Sequence, residues 1–152
     1  GEFECKLDTK ARMVVPAALK RQLPDVEREG LVVNRGFEKN LVLYTRAEWS
    51  KIVLQLSKLN QFKRENRELI RKFMSGATEL SLDAAGRVLL PKNLLEYAGI
   101  TGELVLACQF DKIEVWSKVN YAEATSGFSE DEFADLAEKV MGGFDIEGGD
   151  DE

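Results

Sequence analysis

Two segments of this sequence place an aspartate four residues before an arginine, and a proline four residues after it: Asp8, Arg12, Pro16 and Asp83, Arg87, Pro91. In full they read Leu7-Asp8-Thr9-Lys10-Ala11-Arg12 and Leu82-Asp83-Ala84-Ala85-Gly86-Arg87. A carboxylate so placed can accept hydrogen bonds from backbone N–H groups just ahead of it and fix a turn. The arginine carries a planar fork of donors that matches a phosphate or the edge of a guanine. An exposed local ion pair adds little stability, so its recurrence points to what the arginines do outward. Asp8 and Asp83 would repel phosphate, and their expected role is support: they fix the turn and orient Arg12 and Arg87. Gly86 suits a left-handed position where Ala11 would be strained. The two turns are therefore expected to differ in conformation.

The elements that position these turns repeat as well. With Gly1 laid on Gly76, Leu7-Asp8 falls on Leu82-Asp83, Arg12 on Arg87, Pro16 on Pro91 and Leu19 on Leu94. Further along, Leu31-Val32-Val33 meets Leu104-Val105-Leu106, and Leu41 to Tyr44 meets Ile113 to Trp116. Such ordered matches mark an internal duplication. Phe3, Cys5 and Leu7 alternate with Glu2, Glu4 and Lys6, the period of a half-buried strand. Pro16–Leu23 and Pro91–Ala98 read as short helices with proline in the first turn. A hairpin then closes each copy, 31–33 with 41–44 and 104–107 with 113–116. Each module is thus β-α-β with only about 45 residues, too small to bury a core alone. The expected fold is α+β, with the two copies sharing one core.

Helices follow each copy. Thr45-x-x-Glu48 reads as a capping box opening a helix with Trp49, Ile52, Val53 and Leu56 on one face. A second helix is expected to bring Phe62, Leu69, Ile70 and Phe73 together, opposite Lys63, Arg64, Arg67, Arg71 and Lys72. That basic face reads as solvated, since Glu68 can pair at helical spacing. Ser129-x-x-Glu132 caps a last helix with Phe133, Leu136 and Val140, which Gly142-Gly143 stops. Trp49 and Trp116 read as core or subunit interface.

Composition removes several classes of function. There is no histidine among the 152 residues, which excludes Ser-His-Asp and Cys-His nucleophiles and most zinc sites. Neither GxGxxG nor a Walker-type loop is present. The two cysteines, Cys5 and Cys108, are too few for a disulfide framework and lack metal-ligand spacing. No enzymatic activity, cofactor, metal or small-molecule substrate is expected. No apolar run approaches the ~20 residues that span a bilayer, and no leader opens the chain, so a cytoplasmic location is expected. The chain opens on Gly1 rather than an initiator Met, and a few native residues are expected upstream.

Net charge is divided. Residues 1–75 hold 16 Lys and Arg against 10 Asp and Glu, whereas residues 76–152 hold 5 against 17. Residues 122–152 alone carry 11 acids and one base. A basic binding half followed by an acidic tail shows this asymmetry. The tail, 142–152, reads as a disordered solubilising segment that could also compete with DNA.

At the paired Asp-x-x-x-Arg turns the sequence resembles the MraZ family of bacterial transcriptional regulators, within the AbrB/SpoVT swapped-hairpin superfamily. Tyr97-Ala98-Gly99-Ile100 and Gln109 to Trp116 are also family-like, and the resemblance covers roughly residues 1–141. It implies two tandem AbrB-like modules around a β-barrel-like core, 1–75 and 76–141, each with flanking helices. It further implies a ring-forming, octamer-type homo-oligomer, associated with the nucleoid, that binds double-stranded DNA. The target would be short G-rich direct repeats upstream of the cell-division and cell-wall gene cluster. By position, Arg12 and Arg87 are the implied DNA contacts, with Lys10 added in the first copy. The second copy has Ala85 at that position and is expected to bind less strongly. The family usually has glycine where this chain has Ala11. Two rivals are an AbrB-like antitoxin with a toxin partner and a ring-forming scaffold that does not bind DNA.

Overall fold

The computed structural model describes residues 1–142, so the remainder of the acidic tail lies outside the described residues. The chain divides into two units, Gly1–Tyr121 and the part from Ala122 onward.

In the first unit, alternation along the sequence becomes strand. The first module supplies β1 (Glu2–Lys6), β2 (Arg12–Val14), α1 (Ala17–Gln22), α2 (Val26–Glu29), β3 (Leu31–Arg35) and β4 (Leu41–Thr45). Helices α3 (Arg46–Ser57) and α4 (Arg64–Met74) follow. The second module supplies β5 (Thr78–Leu80), β6 (Arg87–Leu89), α5 (Lys92–Ala98), β7 (Glu103–Cys108) and β8 (Ile113–Ser117), and α6 (Lys118–Thr125) runs on from it past the end of this unit. Both hairpins, β3–β4 and β7–β8, form as the sequence predicts. The prolines Pro16 and Pro91 stand at the N-caps of α1 and α5. The turn of helix at α2 is too short to carry a periodic signal in the sequence.

Strand pairing exchanges the modules. The six-stranded antiparallel sheet runs β1-β7-β8-β4-β3-β5, and β2 pairs with β6 as a separate two-stranded ribbon. Each module's first strand thus lies against the other module's hairpin, β1 on β7 and β5 on β3. Interchanging the repeats maps the sheet order onto its own reverse. The pseudo-twofold axis passes through the Val42–Glu114 pair of the sheet and the Met13–Val88 pair of the ribbon.

Sheet and ribbon close barrel-like on one core. Met13, Val15, Val88 and Leu90 from the ribbon segments meet Leu31, Leu41, Leu43, Leu104, Leu106 and Val115 from the sheet. Leu19, Leu94 and Leu95 of α1 and α5 join the same cluster. Burying one such side chain is worth about 1.5–3 kcal/mol, and no module could bury these alone. The opposite sheet face is also sealed: Val32, Val42, Tyr44 and Trp116 are buried. Trp49 of α3 lies between Tyr44, tilted at a ring distance of 5.4 Å, and Phe73, stacked at 5.8 Å.

Capping is close to the sequence pattern. The Thr45 hydroxyl accepts from the Glu48 N–H at 3.2 Å, but Glu48 returns no bond to the Thr45 N–H, so the expected capping box is only half formed. One expectation fails: Phe62 precedes α4 and is 95% exposed, so it does not join Leu69, Ile70 and Phe73. The chain is instead turned at Asn60, whose side chain accepts from the Phe62 N–H at 3.0 Å. On the basic face of α4, Arg64 pairs with Glu68 at 3.5 Å.

In the second unit, Ser129 and Glu132 form the complete capping box of α7 (Glu130–Met141). Phe133, Leu136 and Val140 are exposed on it. No helix of the described residues is long and apolar enough to cross a membrane.

Candidate nucleic-acid interface

Each Asp-x-x-x-Arg segment folds into a closed loop around its carboxylate. Asp8 Oδ1 accepts from the Lys10 and Arg12 N–H groups, both at 2.9 Å, while Oδ2 accepts from Arg12 Nε at 2.8 Å. Backbone bonds close the turn: Asp8 N–H to Arg12 O at 2.9 Å and Ala11 N–H to Asp8 O at 3.1 Å. The second copy reproduces every one of these bonds. Asp83 Oδ1 accepts from Ala85 and Arg87 N–H groups at 3.0 and 2.8 Å, and Oδ2 from Arg87 Nε at 2.8 Å.

The expected difference between the turns is therefore absent. Ala11 takes φ 62° and Gly86 φ 76°, both left-handed. Two carboxylate hydrogen bonds and two backbone bonds hold Ala11 where its Cβ is disfavoured by about 1–2 kcal/mol. Ala11→Gly should relieve that strain, less about 0.4–1 kcal/mol from the freer unfolded chain. A net gain of about 0.5–1 kcal/mol, roughly 2–3 °C in melting temperature, is the expected result. A variant that melts lower than the parent would show that Ala11 is not strained.

The two turns feed one surface. In the ribbon Arg12 lies opposite Leu89, Met13 opposite Val88 and Val14 opposite Arg87. Met13 and Val88 point into the core and are fully buried. Since side chains alternate across a strand, Arg12, Val14, Arg87 and Leu89 share the outer face. The arginines sit diagonally across the pseudo-twofold axis, close enough that Arg87 Nη1 comes within 3.9 Å of Asp8 Oδ2. Each Nε is spent on its own aspartate, which leaves the terminal Nη groups as the remaining donors.

Sequence reasoning missed two cations near this face. Lys20 of α1, in the first module, reaches the second module's turn: a Cβ built on Gly86 would stand 3.0 Å from its Nζ. Lys92, at the start of α5, lines the same surface depression as Thr9, Lys10, Leu89 and Pro91. Counting charge along the chain made the second turn look poor, with Ala85 in place of lysine. The exchange of modules supplies Lys20 there. Only the topology carries that signal.

The carboxylates are tuned to stay charged. The Arg12 backbone N–H holds the Asp8 carboxyl below its ordinary range, helped by the Lys10 N–H and the Arg12 guanidinium. Asp83 is lowered in the same way, first by the Arg87 N–H, then by its guanidinium and the Ala85 N–H. A depressed folded pKa stabilises above the unfolded carboxylate value, about 3.9, and that contribution is lost as pH falls through the folded value. NMR titration should place both midpoints below about 3.9. Midpoints at or above it would contradict the braced turn. Among the described residues no acidic or cysteine side chains converge as a metal site.

A family model described as "MraZ protein, putative antitoxin-like" matches twice, at residues 1–72 and 73–142. The chain belongs to the MraZ family. It is 43% identical to the transcriptional regulator MraZ of Christiangramia forsetii, over 97% of this chain and 96% of that one. The MraZ regulators of Flavobacterium psychrophilum and Cytophaga hutchinsonii are 41% and 40% identical. Those matches each cover 93% of this chain, and 90% and 93% of the two relatives. The MraZ family is one of transcriptional regulators and not of enzymes.

Proposed function

We propose that this chain is a sequence-specific DNA-binding transcriptional regulator. One observation carries the reading: two carboxylate-braced arginines stand side by side on the solvent face of a two-stranded ribbon. The major groove admits such a ribbon, and guanine presents O6 and N7 there as a pair of acceptors for arginine. Asp8 and Asp83 hold each guanidinium by Nε, which orders the side chain before binding and leaves Nη groups to donate. Lys10, Lys20 and Lys92 flank the ribbon and would grip phosphates.

The target follows from the family resemblance: short G-rich direct repeats upstream of the cell-division and cell-wall gene cluster, bound in the nucleoid by a ring-shaped homo-oligomer. One subunit offers few base contacts, so several subunits linked in one assembly would engage successive repeats together. A second reading, favoured by the antitoxin-like description of the family, is a toxin partner. Stoichiometric co-purification of a second protein would support it.

The deciding experiment is a salt-series titration of tandem-repeat promoter DNA against a scrambled duplex. Affinity should fall linearly in log salt, with preference for the repeats kept throughout. Removing a lysine that grips phosphate should shallow the slope by about 1. Equal affinity for both duplexes would refute sequence-specific recognition, and a flat salt response would remove the phosphate contacts.

A further inference from the structure

The outer face of the ribbon contains two large apolar side chains for which the fold has no use. Val14 is 56% exposed and Leu89 58% exposed, whereas their strand neighbours Met13 and Val88 are fully buried. They are equivalent positions of the two repeats, and each lies directly across the ribbon from an arginine, Val14 from Arg87 and Leu89 from Arg12. Directly opposed side chains on one face stand about 5 Å apart. The face is therefore a checkerboard of two guanidinium forks and two aliphatic groups.

Resting on the DNA-binding reading above, we propose that Val14 and Leu89 are specificity-determining residues that pack on the 5-methyl groups of thymines. The methyl is the one apolar feature that a base edge presents in the major groove. A ribbon whose arginines reach guanine O6 and N7 brings the flanking aliphatic groups to the neighbouring base steps. An apolar side chain gains nothing from cytosine N4 or adenine N6, whose polar hydrogens it would desolvate. The recognised element accordingly has thymine beside the guanines. Val14 and Leu89 differ in reach by one carbon, so the two half-contacts of a subunit are unequal.

Replacing thymine by deoxyuridine deletes this methyl and leaves every hydrogen-bonding group in place. The full chain would first select a duplex from a random library, and anisotropy would compare that duplex with its all-deoxyuridine counterpart. Binding should weaken about four-fold for each contacted methyl, the affinity equivalent of one buried carbon. The Val14→Ser, Leu89→Ser double variant should bind the thymine duplex more weakly and no longer distinguish the two duplexes. Both positions are exposed, so its melting temperature should match the parent's. Equal binding of both duplexes by the parent chain overturns the proposal. So does a serine variant that still discriminates, because the methyl then acts through DNA shape. Arg12→Ala and Arg87→Ala separate the two levels: lost methyl dependence with intact arginine dependence sinks only the thymine contact. If the arginine variants bind as the parent does, the DNA-reading face itself is wrong.

Discussion

The Arg12→Ala, Arg87→Ala double variant should lose all preference for repeat DNA over a scrambled duplex while keeping its fold and assembly. A bidentate arginine–guanine contact discriminates by about 1–3 kcal/mol per base. Losing two such contacts per subunit, multiplied over the proposed multi-subunit assembly on successive repeats, would leave no measurable specificity. Stability should hardly change, because both side chains lie in exposed turns whose backbone bonds do not involve the guanidinium. Lysine at the same positions supplies a sharper comparison. It retains the charge but not the fork, so it should preserve non-specific binding and much of the salt slope without restoring preference. Gel shifts with both duplexes, alongside gel filtration and thermal melting, measure all three properties. Retained preference in the alanine variant would move the reading surface elsewhere.

The second large effect lies in the exchanged sheet. Gly30 terminates α2 at φ 72° and ψ −160°, a region that side chains other than hydrogen avoid. A Cβ there would stand 2.1 Å from the backbone carbonyl oxygen of Leu80. Leu80 belongs to β5, paired beside Leu31 of β3, so neither partner can yield without opening the ladder that joins the modules. Backbone strain of this kind costs about 1–3 kcal/mol before the collision is counted. Gly30→Ala is expected to destabilise by about 3 kcal/mol or more, roughly a 10 °C fall in melting temperature. Gly102 is the internal control, as a Cβ there meets nothing within 4 Å. Urea unfolding of both variants tests the point. If Gly30→Ala unfolds at the parent's midpoint, the close approach of β3 and β5 is mistaken.

Much of this architecture is legible in the sequence itself. Alternation located β1, the duplicated pattern located both hairpins, and Ser129-x-x-Glu132 located a cap, because each signal is local and each residue acts on near neighbours. Pairing partners were not legible in that way. Nothing in Glu2–Lys6 says that it will lie on Glu103–Cys108 rather than on its own hairpin, because that pairing joins segments far apart along the chain. The site divides along the same line. Asp8 and Arg12 meet across a turn and announce themselves by spacing. Arg12 and Arg87 meet across the ribbon, and Lys20 meets Gly86 across the module boundary, so neither juxtaposition has a linear signature. The left-handed Ala11 departs from expectation for a different reason: residue preference favours glycine, but the hydrogen bonds around Asp8 outweigh it.

The exchange of first strands also bears on how such a protein comes into being and changes. Neither half can cover its apolar sheet without the other, so as separate polypeptides they would have to meet before either could fold. Joined in one chain, that meeting is unimolecular and independent of dilution. The tether has a second effect. In a dimer of identical subunits every mutation appears on both sides of the axis, whereas here each side can drift alone. The equivalent positions Lys10 and Ala85, and Val14 and Leu89, differ in this way, so the two sides of the ribbon are a left and a right.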